Sequence, residues 1–396
     1  MRTPAPFFLF RNASFLFLLI PAMILCGPAC TAAQRHQSIV SSERIRVLLA
    51  ENLSSVEITA ANGRRVKLAA HSALPRFFPE GKNPILVNGK PYRGSIEVRR
   101  LGRASADRGR APGVAVINHV SLEDYLLGVV PAEMSRRAPQ EALKAQAVVA
   151  RSYVLAILAK RRRSPTVPKE YDLRDGVTDQ VYGGKAAERE ETSRAVRATR
   201  GEVLFHDGEI VPGFFHSSCG GRTATPQEVW GTKSGAGDET TKVFQSVSDT
   251  YCEAYPRFFW TTELSRSRMN EKARSHWGLW KVTRLAVLSR GPSGRIRYIR
   301  LVGRTRKGAE RRFLVSGKDF RRVIGAGEMR STLADIVPTK TGWLISGNGF
   351  GHGVGLCQWG AMGRAEAGFN YREILKHYFP NSSVVRWKGG KKRETP

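Results

Sequence analysis

The chain has 396 residues, which predicts about two to three domains at about 150 residues each. Hydrophobic residues make up 41% and aromatic residues 9%, enough to bury a core, so a wholly disordered chain is excluded. Lysine and arginine number 64 against 34 acidic residues, and the net charge of +30 favours polyanionic partners: nucleic acid, acidic membrane surfaces or an anionic cell envelope.

The N-terminal segment has the pattern of an export signal. Arg2 and Arg11 precede an apolar run over 15–26, and small residues follow up to Ala33. The run is shorter than the roughly 18–20 apolar residues that span a bilayer, and no later stretch reaches that length, which excludes a polytopic membrane protein. We predict an export signal over 1–33, with cleavage near Ala33 or lipid attachment at Cys30 or Cys26 as alternatives. Export directs the positive charge to the envelope, and nucleic acid is not expected as a partner.

Short alternating runs then predict strands joined by turns in an N-terminal β-rich part over 42–118. These runs cover 45–50, 56–59, 65–69, 92–98 and 114–118.

One strong helix follows this β-rich part. It begins at Pro139, a residue suited to a first turn, and continues to the basic cluster at 160–163. A loop over 164–175, a shorter helix over 188–199, further strands and a helix over 371–378 complete the pattern. The further strands are predicted over 202–206, 210–215, 297–302, 312–315 and 343–346. Since strands dominate with few helices between them, the predicted fold class is α+β rather than a doubly wound α/β sheet.

Glu133 is the first candidate for chemistry. It lies in a short apolar segment before the long helix, between Val129, Val130 and Met134. Apolar neighbours disfavour the charged form of a carboxyl and raise its pKa, which suits a general acid at neutral pH. The competing interpretation is a solvated loop or helix-start residue. Glu123 and Asp124 are expected to be solvated or capping residues.

Polar side chains on the long helix form a second group of candidates. Lys144 and Arg151 are two turns apart and share a face with Gln140, and Gln146 and Tyr153 form a similar pair elsewhere on the surface. These residues are either a solvated helix face or a cationic, hydrogen-bonding strip beside a glycan groove.

Five cysteines are present, and three of them, Cys219, Cys252 and Cys357, follow the export segment. His216 and Cys219 have the spacing of half a zinc site, but no second half-site of matching spacing follows. A Cys219–Cys252 disulfide, free thiols and a structural zinc ion held by His216, Cys219 and Cys252 all remain open from the spacing.

A glycine-rich segment over 347–361 fits neither a dinucleotide fingerprint nor a phosphate-binding loop. Its glycines allow tight turns and close backbone approach. The segment is either a structural loop with a buried tryptophan or a loop that presents His352, Gln358 and Trp359 to a sugar.

Several blocks occur together in one order over about 42–385, and their order resembles the stage II sporulation protein D and LytB amidase-enhancer family. The blocks are Leu-Glu-Asp-Tyr-Leu-Leu-Gly-Val-Val-Pro-Ala-Glu-Met at 122–134, Glu-Ala-Leu-Lys-Ala-Gln-Ala-Val-Val-Ala-Arg-Ser-Tyr at 141–153, Asp-Gln-Val-Tyr-Gly-Gly at 179–184, Phe-His-Ser-Ser-Cys-Gly-Gly-Arg-Thr at 215–223 and Gly-His-Gly-Val-Gly-Leu-Cys-Gln-Trp-Gly-Ala-Met-Gly at 351–363.

The resemblance implies a catalytic SpoIID/LytB-like domain over 119–385 that acts on peptidoglycan, with a basic tail at 386–396. In the sporulation branch, the glutamate that matches Glu133 is the catalytic acid of a lytic transglycosylase. That enzyme cleaves glycan strands, preferably denuded of stem peptides. The resemblance also favours Lys144, Gln146 and Arg151 as groove residues, with Tyr182, His352 and Gln358 as further contacts. No cofactor is required by such a reaction.

Some family members activate a separate cell-wall amidase instead, so the resemblance leaves two functions open. The expected protein is therefore either an exported lytic transglycosylase or a non-catalytic, wall-binding amidase enhancer. The basic stretches at 160–175, 295–322 and 388–393 add anionic envelope polymers as expected partners.

Overall fold

The computed structural model describes residues 43–100, 113–163, 170–231 and 243–387. Several sequence predictions lie outside these ranges: the export signal with Cys26 and Cys30, and the basic residues at 388–393. Residues 164–169 of the predicted loop at 164–175 lie outside them as well. The described residues have the mixed α+β composition that the sequence predicts.

Two sheets form the N-terminal part. The strands predicted over 45–50, 56–59, 65–69 and 114–118 are present, whereas the run predicted over 92–98 is divided at 93–94 between two strands. The strands are β1 Arg44–Leu53, β2 Ser55–Thr59, β3 Arg65–Ala69, β4 Arg76–Phe78, β5 Ile85–Val87, β6 Lys90–Tyr92, β7 Ser95–Arg100, β8 Val114–Ser121 and β9 Leu173–Arg174. One sheet has five strands in the order β4, β7, β8, β1, β9, and the other has four in the order β3, β2, β5, β6.

The apolar segment that contains Glu133 is a helix, α1 Leu122–Glu133, which the sequence patterns did not predict. Ser121 caps its start, because its hydroxyl accepts a hydrogen bond from the Asp124 N–H at 3.1 Å. Its buried positions recur with helical spacing, which explains why the segment folds as a helix. They are Leu122, Tyr125, Leu126, Val129 and Val130.

The long helix α2, Gln140–Arg163, is the central helix of the larger core. Pro139 precedes its first residue and accepts the Leu143 N–H at 3.1 Å, so the helix begins one residue later than predicted. By length and composition α2 could cross a membrane, although the sequence had suggested no such stretch. Since 78% of its apolar window is buried inside the protein, it is a core helix.

The remaining elements complete two hydrophobic cores. One core joins residues of the N-terminal sheets to α2 and the C-terminal helices, so it crosses the predicted boundary at residue 118. A second core lies between Trp260 and Ile345.

The remaining elements have the following bounds. The helices are α3 Glu190–Ala198, α4 Pro226–Trp230, α5 Arg266–Trp277, α6 Gly317–Ile324, α7 Gln358–Glu366 and α8 Tyr371–Tyr378. The strands are β10 Glu202–His206, β11 Glu209–Ile210, β12 Phe215–His216, β13 Phe259–Ser265, β14 Lys281–Arg290, β15 Ile296–Arg304, β16 Glu310–Ser316, β17 Ala334–Pro338, β18 Gly342–Asn348, β19 Leu356–Cys357 and β20 Ser383–Arg386.

The glycine-rich segment connects the two cores to the candidate site. It leaves β18, turns through Gly349, Gly351, Gly353 and Gly355, all with positive φ, and ends at β19, which pairs in parallel with β12. A Cβ on Gly353 would lie 2.4 Å from the Arg295 guanidinium carbon, so glycine is required for this close approach. The predicted role of these glycines in tight turns and close contacts is confirmed.

Candidate active site

Glu133 is the last residue of α1 and is half-buried. Its Oε1 accepts a hydrogen bond from the Val181 N–H at 2.8 Å. Among the described residues, no arginine, lysine or histidine forms an ion pair with it. Burial raises the pKa of this carboxyl above its ordinary value, and the Val181 N–H opposes part of that rise because it stabilises the charged form.

The loop that carries Val181 is held in place by both neighbouring helices. Gln180 donates to the Ala150 carbonyl of α2 at 3.3 Å, and the Gly183 N–H donates to the Gly128 carbonyl of α1 at 3.1 Å. Asp179 accepts the Tyr153 hydroxyl of α2 at 3.1 Å. The Val181 N–H therefore faces Glu133 through a fixed loop, an arrangement that orients one carboxyl oxygen and leaves the other for chemistry.

Gln358 and Gln146 are the predicted site residues that the structure brings to Glu133. The Gln358 amide donates to the backbone carbonyl of Glu133 at 3.0 Å and lies 3.4 Å from the Gln146 Oε1. Gln146 is fully buried, so its predicted place on the surface is wrong. Gln358, the first residue of α7, therefore holds the end of α1, and Gln146 contacts Gln358 rather than Glu133.

Arg151 does not face solvent, contrary to the surface strip suggested by its spacing from Lys144. Its guanidinium is fully buried and contacts Glu123 through two hydrogen bonds, at 2.8 and 2.9 Å. The expectation that Glu123 is solvated or caps a helix is therefore wrong. The pair forms because α1 and α2 pack face to face, which places the two residues together across 28 positions of sequence.

The other predicted contacts lie in separate environments. Lys144 is partly exposed and pairs with Glu141 at 2.6 Å. Tyr182 is buried, and its hydroxyl donates to Asn118 at 3.0 Å. Trp359 packs against the Tyr255 ring with centroids 5.3 Å apart. His352 packs instead against the Trp230 and His216 rings, with centroids 5.3 and 5.5 Å apart, so the glycine-rich segment does not present His352 and Trp359 together.

A cavity of about 180 Å³ lies between α4, β15 and α6. Trp230, Tyr298 and Lys318 contribute to its lining, and Glu133 does not. The environment of Glu133 is therefore built by the ends of α1 and α7 and the loop of Val181, at a different place from this cavity.

Three thiols and one carboxylate form a buried cluster that could hold a metal ion. The potential ligand atoms of Cys219, Asp249, Cys252 and Cys357 all lie within 4.8 Å of one another. His216 is not part of this cluster, and its Nδ1 lies 3.1 Å from the Val354 carbonyl instead. Burial lowers the pKa of His216 and lowers that of His352 to about 4. From the sequence, Cys219 and Cys252 are proposed as metal ligands, but Asp249 and Cys357 are not. The local signal for Asp249 is its position three residues before Cys252, which is a spacing found between metal ligands.

Comparison with known proteins agrees with the predicted resemblance. Residues 110–206, which include Glu133, match the family model described as Stage II sporulation protein. Residues 227–355 match a model described as a domain of unknown function.

Individual relatives extend this match over most of the chain. A protein of Brachyspira hyodysenteriae described as uncharacterized is 31% identical over 283 residues, which cover 71% of each chain. The Bacillus subtilis amidase enhancer is 28% identical over 380 residues, covering 85% of this chain and 48% of its own. Stage II sporulation protein D of Bacillus subtilis is 24% identical over 315 residues, covering 75% and 84%. The ordered motifs, the matched model and these relatives agree, and the chain belongs to the stage II sporulation protein (SpoIID) family.

Proposed function

We propose that the protein is an exported peptidoglycan lytic transglycosylase of the cell envelope, located in the periplasm or at the cell surface. The observation that carries this proposal is the environment of Glu133. A half-buried carboxyl whose pKa is raised by burial, held by one backbone N–H and by no ion pair among the described residues, is better suited to hold and donate a proton than a solvated carboxyl.

In the proposed reaction Glu133 acts first as acid and then as base. It donates its proton to the glycosidic oxygen as the bond to the sugar breaks. The resulting carboxylate, stabilised by the Val181 N–H, then takes the proton of the sugar's C6 hydroxyl as that oxygen closes a 1,6-anhydro ring. Since the nucleophile belongs to the substrate, the reaction needs neither the second carboxylate of ordinary glycosidases nor a metal ion.

The predicted contact residues divide into two roles in this proposal. Lys144 and Trp359, which are partly exposed, contact the glycan strand. Gln358 is a positioning residue, because it donates to the Glu133 backbone carbonyl, and Gln146 supports it by accepting from the same Gln358 amide. Denuded strands are the proposed preferred substrate, as the family resemblance implies.

Arg151, Tyr182 and His352 serve as scaffold in this account. Arg151 and Tyr182 stabilise the helices and the loop around Glu133 through buried hydrogen bonds. His352 packs among aromatic rings away from Glu133.

Gly128 provides a test of how Glu133 is positioned. A Cβ there would lie 2.7 Å from the Tyr182 ring and 2.9 Å from the Gly184 carbonyl, so Gly128→Ala must displace the loop that carries Val181. We expect glycan cleavage to fall about 10- to 100-fold, since a displacement of about 1 Å has that effect on catalysis. Gly327→Ala, where a Cβ meets nothing within 4 Å, is the matched control. Equal activity of Gly128→Ala and the control would contradict the positioning role.

Anionic envelope polymers are proposed as a further partner of the sheet formed by β14, β15 and β16. Arg284, Arg300 and Arg304 are exposed on these strands, and none forms an ion pair within the described part of the chain. Such uncompensated positive charge favours polyanions. Retention on isolated cell walls should decrease as salt is raised, and salt-insensitive retention would contradict this partner.

A non-catalytic amidase enhancer is the second candidate function, and the relative of that name in Bacillus subtilis favours it. The two functions are separated by incubating the purified protein with denuded glycan strands, alone and with a cell-wall amidase on peptide-bearing strands. The transglycosylase proposal expects cleavage of denuded strands by the protein alone. No cleavage alone, together with faster stem-peptide release by the amidase, would replace it with the enhancer.

A further inference from the structure

The thiol and carboxylate cluster converges from three distant parts of the chain. Cys219 follows β12, Asp249 and Cys252 belong to a short 3₁₀ turn, and Cys357 immediately precedes α7. The Cys219 sulfur lies 3.3 Å from that of Cys252 and 3.4 Å from Asp249 Oδ2. All four residues are at most 1% exposed. Thiolate sulfur and carboxylate oxygen are both ligand types that zinc binds, and three sulfurs with one oxygen complete a set of four ligands.

The backbone around the cluster donates to sulfur. The N–H groups of Cys219 and Gly360 point at the Cys357 sulfur, at 3.2 and 3.3 Å. Backbone donors of this kind stabilise a metal-bound thiolate and fix its direction. The Tyr378 hydroxyl likewise donates to Asp249 Oδ2 at 2.7 Å. The other oxygen, Oδ1, is buried without a hydrogen-bond partner. Oδ1 lies 3.9 Å from Arg364 Nε, whereas Oδ2 is the oxygen beside the Cys219 sulfur, so Oδ2 is the oxygen placed to bind a metal ion.

The buried Arg295 and the partly buried Arg364 lie beside the cluster and supply positive charge that would balance a zinc site with anionic ligands. Arg295 is 1% exposed and donates to the Cys219 carbonyl at 2.6 Å, yet no acidic side chain pairs with it among the described residues. Arg364 Nε lies 3.9 Å from Asp249 Oδ1. Zinc bound by three thiolates and one carboxylate has a net charge of about −2, which two guanidinium groups balance.

A disulfide between Cys219 and Cys252 is the competing state of the cluster. It would join the Cys219 and Cys252 sulfurs. Cys357 and the Asp249 carboxylate would stay buried beside them, and the disulfide would not explain why all four side chains meet at one place. It would also leave the Arg295 guanidinium buried without a counter-charge. The four-residue convergence therefore favours a metal ion over a disulfide.

We propose that Cys219, Asp249, Cys252 and Cys357 bind one structural zinc ion that fixes the start of α7. Gln358 follows Cys357 directly and donates to the Glu133 carbonyl, so the zinc site and the candidate catalytic carboxyl are joined by two adjacent residues. The effect of zinc on glycan cleavage rests on the proposed function, whereas zinc binding itself does not.

The test measures zinc in the purified, exported form of the chain by mass spectrometry, and its ligands by X-ray absorption at the zinc edge. We expect about one zinc per chain, with three sulfur ligands and one oxygen ligand. Cys357→Ser and Asp249→Asn should each lose most of the zinc and lower the Tm by roughly 10 °C. His216→Asn is the matched control, because its amide can still donate to the Val354 carbonyl; it should retain zinc.

The proposal is overturned if the protein contains no zinc, whether peptide mapping then finds a Cys219–Cys252 disulfide or three free thiols. It is also overturned if His216→Asn loses zinc while Asp249→Asn retains it, since the sequence-predicted ligand set would then be correct. Zinc binding with no glycan cleavage by the wild type would remove the proposed enzyme function but leave the metal site. The two proposals can therefore fail separately.

Discussion

Replacing Glu133 by glutamine should reduce cleavage of denuded glycan strands by about 10²- to 10⁴-fold, the usual contribution of a general acid–base group. Glutamine has the same shape and can still accept the Val181 N–H through its side-chain oxygen, so the site should stay folded. What it cannot do is donate a proton to the leaving oxygen and take one back. The measurement is the initial rate of strand shortening on a purified, peptide-free substrate.

Glu263→Gln is the matched control for this variant, because Glu263 is an exposed carboxyl on β13, distant in sequence from every residue placed around Glu133. Its activity should equal that of the wild type. If Glu133→Gln cleaves as fast as Glu263→Gln, the carboxyl at position 133 takes no part in the reaction.

The stability of Glu133→Gln gives an independent readout of the same carboxyl. Burial raises the pKa of Glu133 in the folded state, so its contribution to stability is full below the ordinary carboxyl pKa and is lost as the pH rises through the folded value. At neutral pH the glutamine variant should therefore be at least as stable as the wild type, and this difference should vanish in acid. A variant that is less stable at neutral pH would show that the charged carboxylate is favoured in the fold.

Replacing Arg151 by methionine should destabilise the protein by about 3–5 kcal/mol, because it leaves the Glu123 carboxylate buried without its partner. The guanidinium also donates to the Glu202 carbonyl at 3.0 Å, and that contact is lost as well. The expected result is a Tm lower by roughly 10 °C, measured by calorimetry. Arg197→Met, which breaks an exposed pair with Glu190, should cost less than about 1 kcal/mol and serves as the control.

A double variant, Arg151→Met with Glu123→Leu, should recover much of the lost stability, because the uncompensated charge is gone. If Arg151→Met instead unfolds like the wild type but no longer binds glycan strands, Arg151 faces the substrate and the buried pair is not its role. Melting temperature and strand binding together separate these outcomes.

Much of the fold could be predicted because its signals are local. Alternation with a period of two identified the N-terminal strands, and α8 begins and ends where the sequence predicted. Three of the missed helices, α1, α5 and α7, lack such a signal. Gly128 and Pro131 interrupt α1, α5 buries only Met269 and Ala273, and glycines within α7 made it look like part of the preceding loop.

The site was harder to predict because its contacts join distant parts of the chain. The apolar neighbours of Glu133 are adjacent in sequence and marked it correctly as a half-buried carboxyl. Its hydrogen-bond donor, Val181, lies 48 residues away, and Cys357 lies 138 residues from Cys219. Sequence spacing suggested His216 as the metal ligand, whereas the packing of the turn at Asp249 and the start of α7 brings different side chains to the sulfurs.

The central claim, that Glu133 passes a proton to the leaving oxygen and recovers one from the sugar itself, is tested most directly by the chemistry of the new chain ends. Denuded strands treated with the purified protein should yield fragments with 1,6-anhydro ends, each lighter by one water than the hydrolysed product in a mass spectrum. Fragments with ordinary reducing ends, or strands left intact by the wild type, would contradict the account.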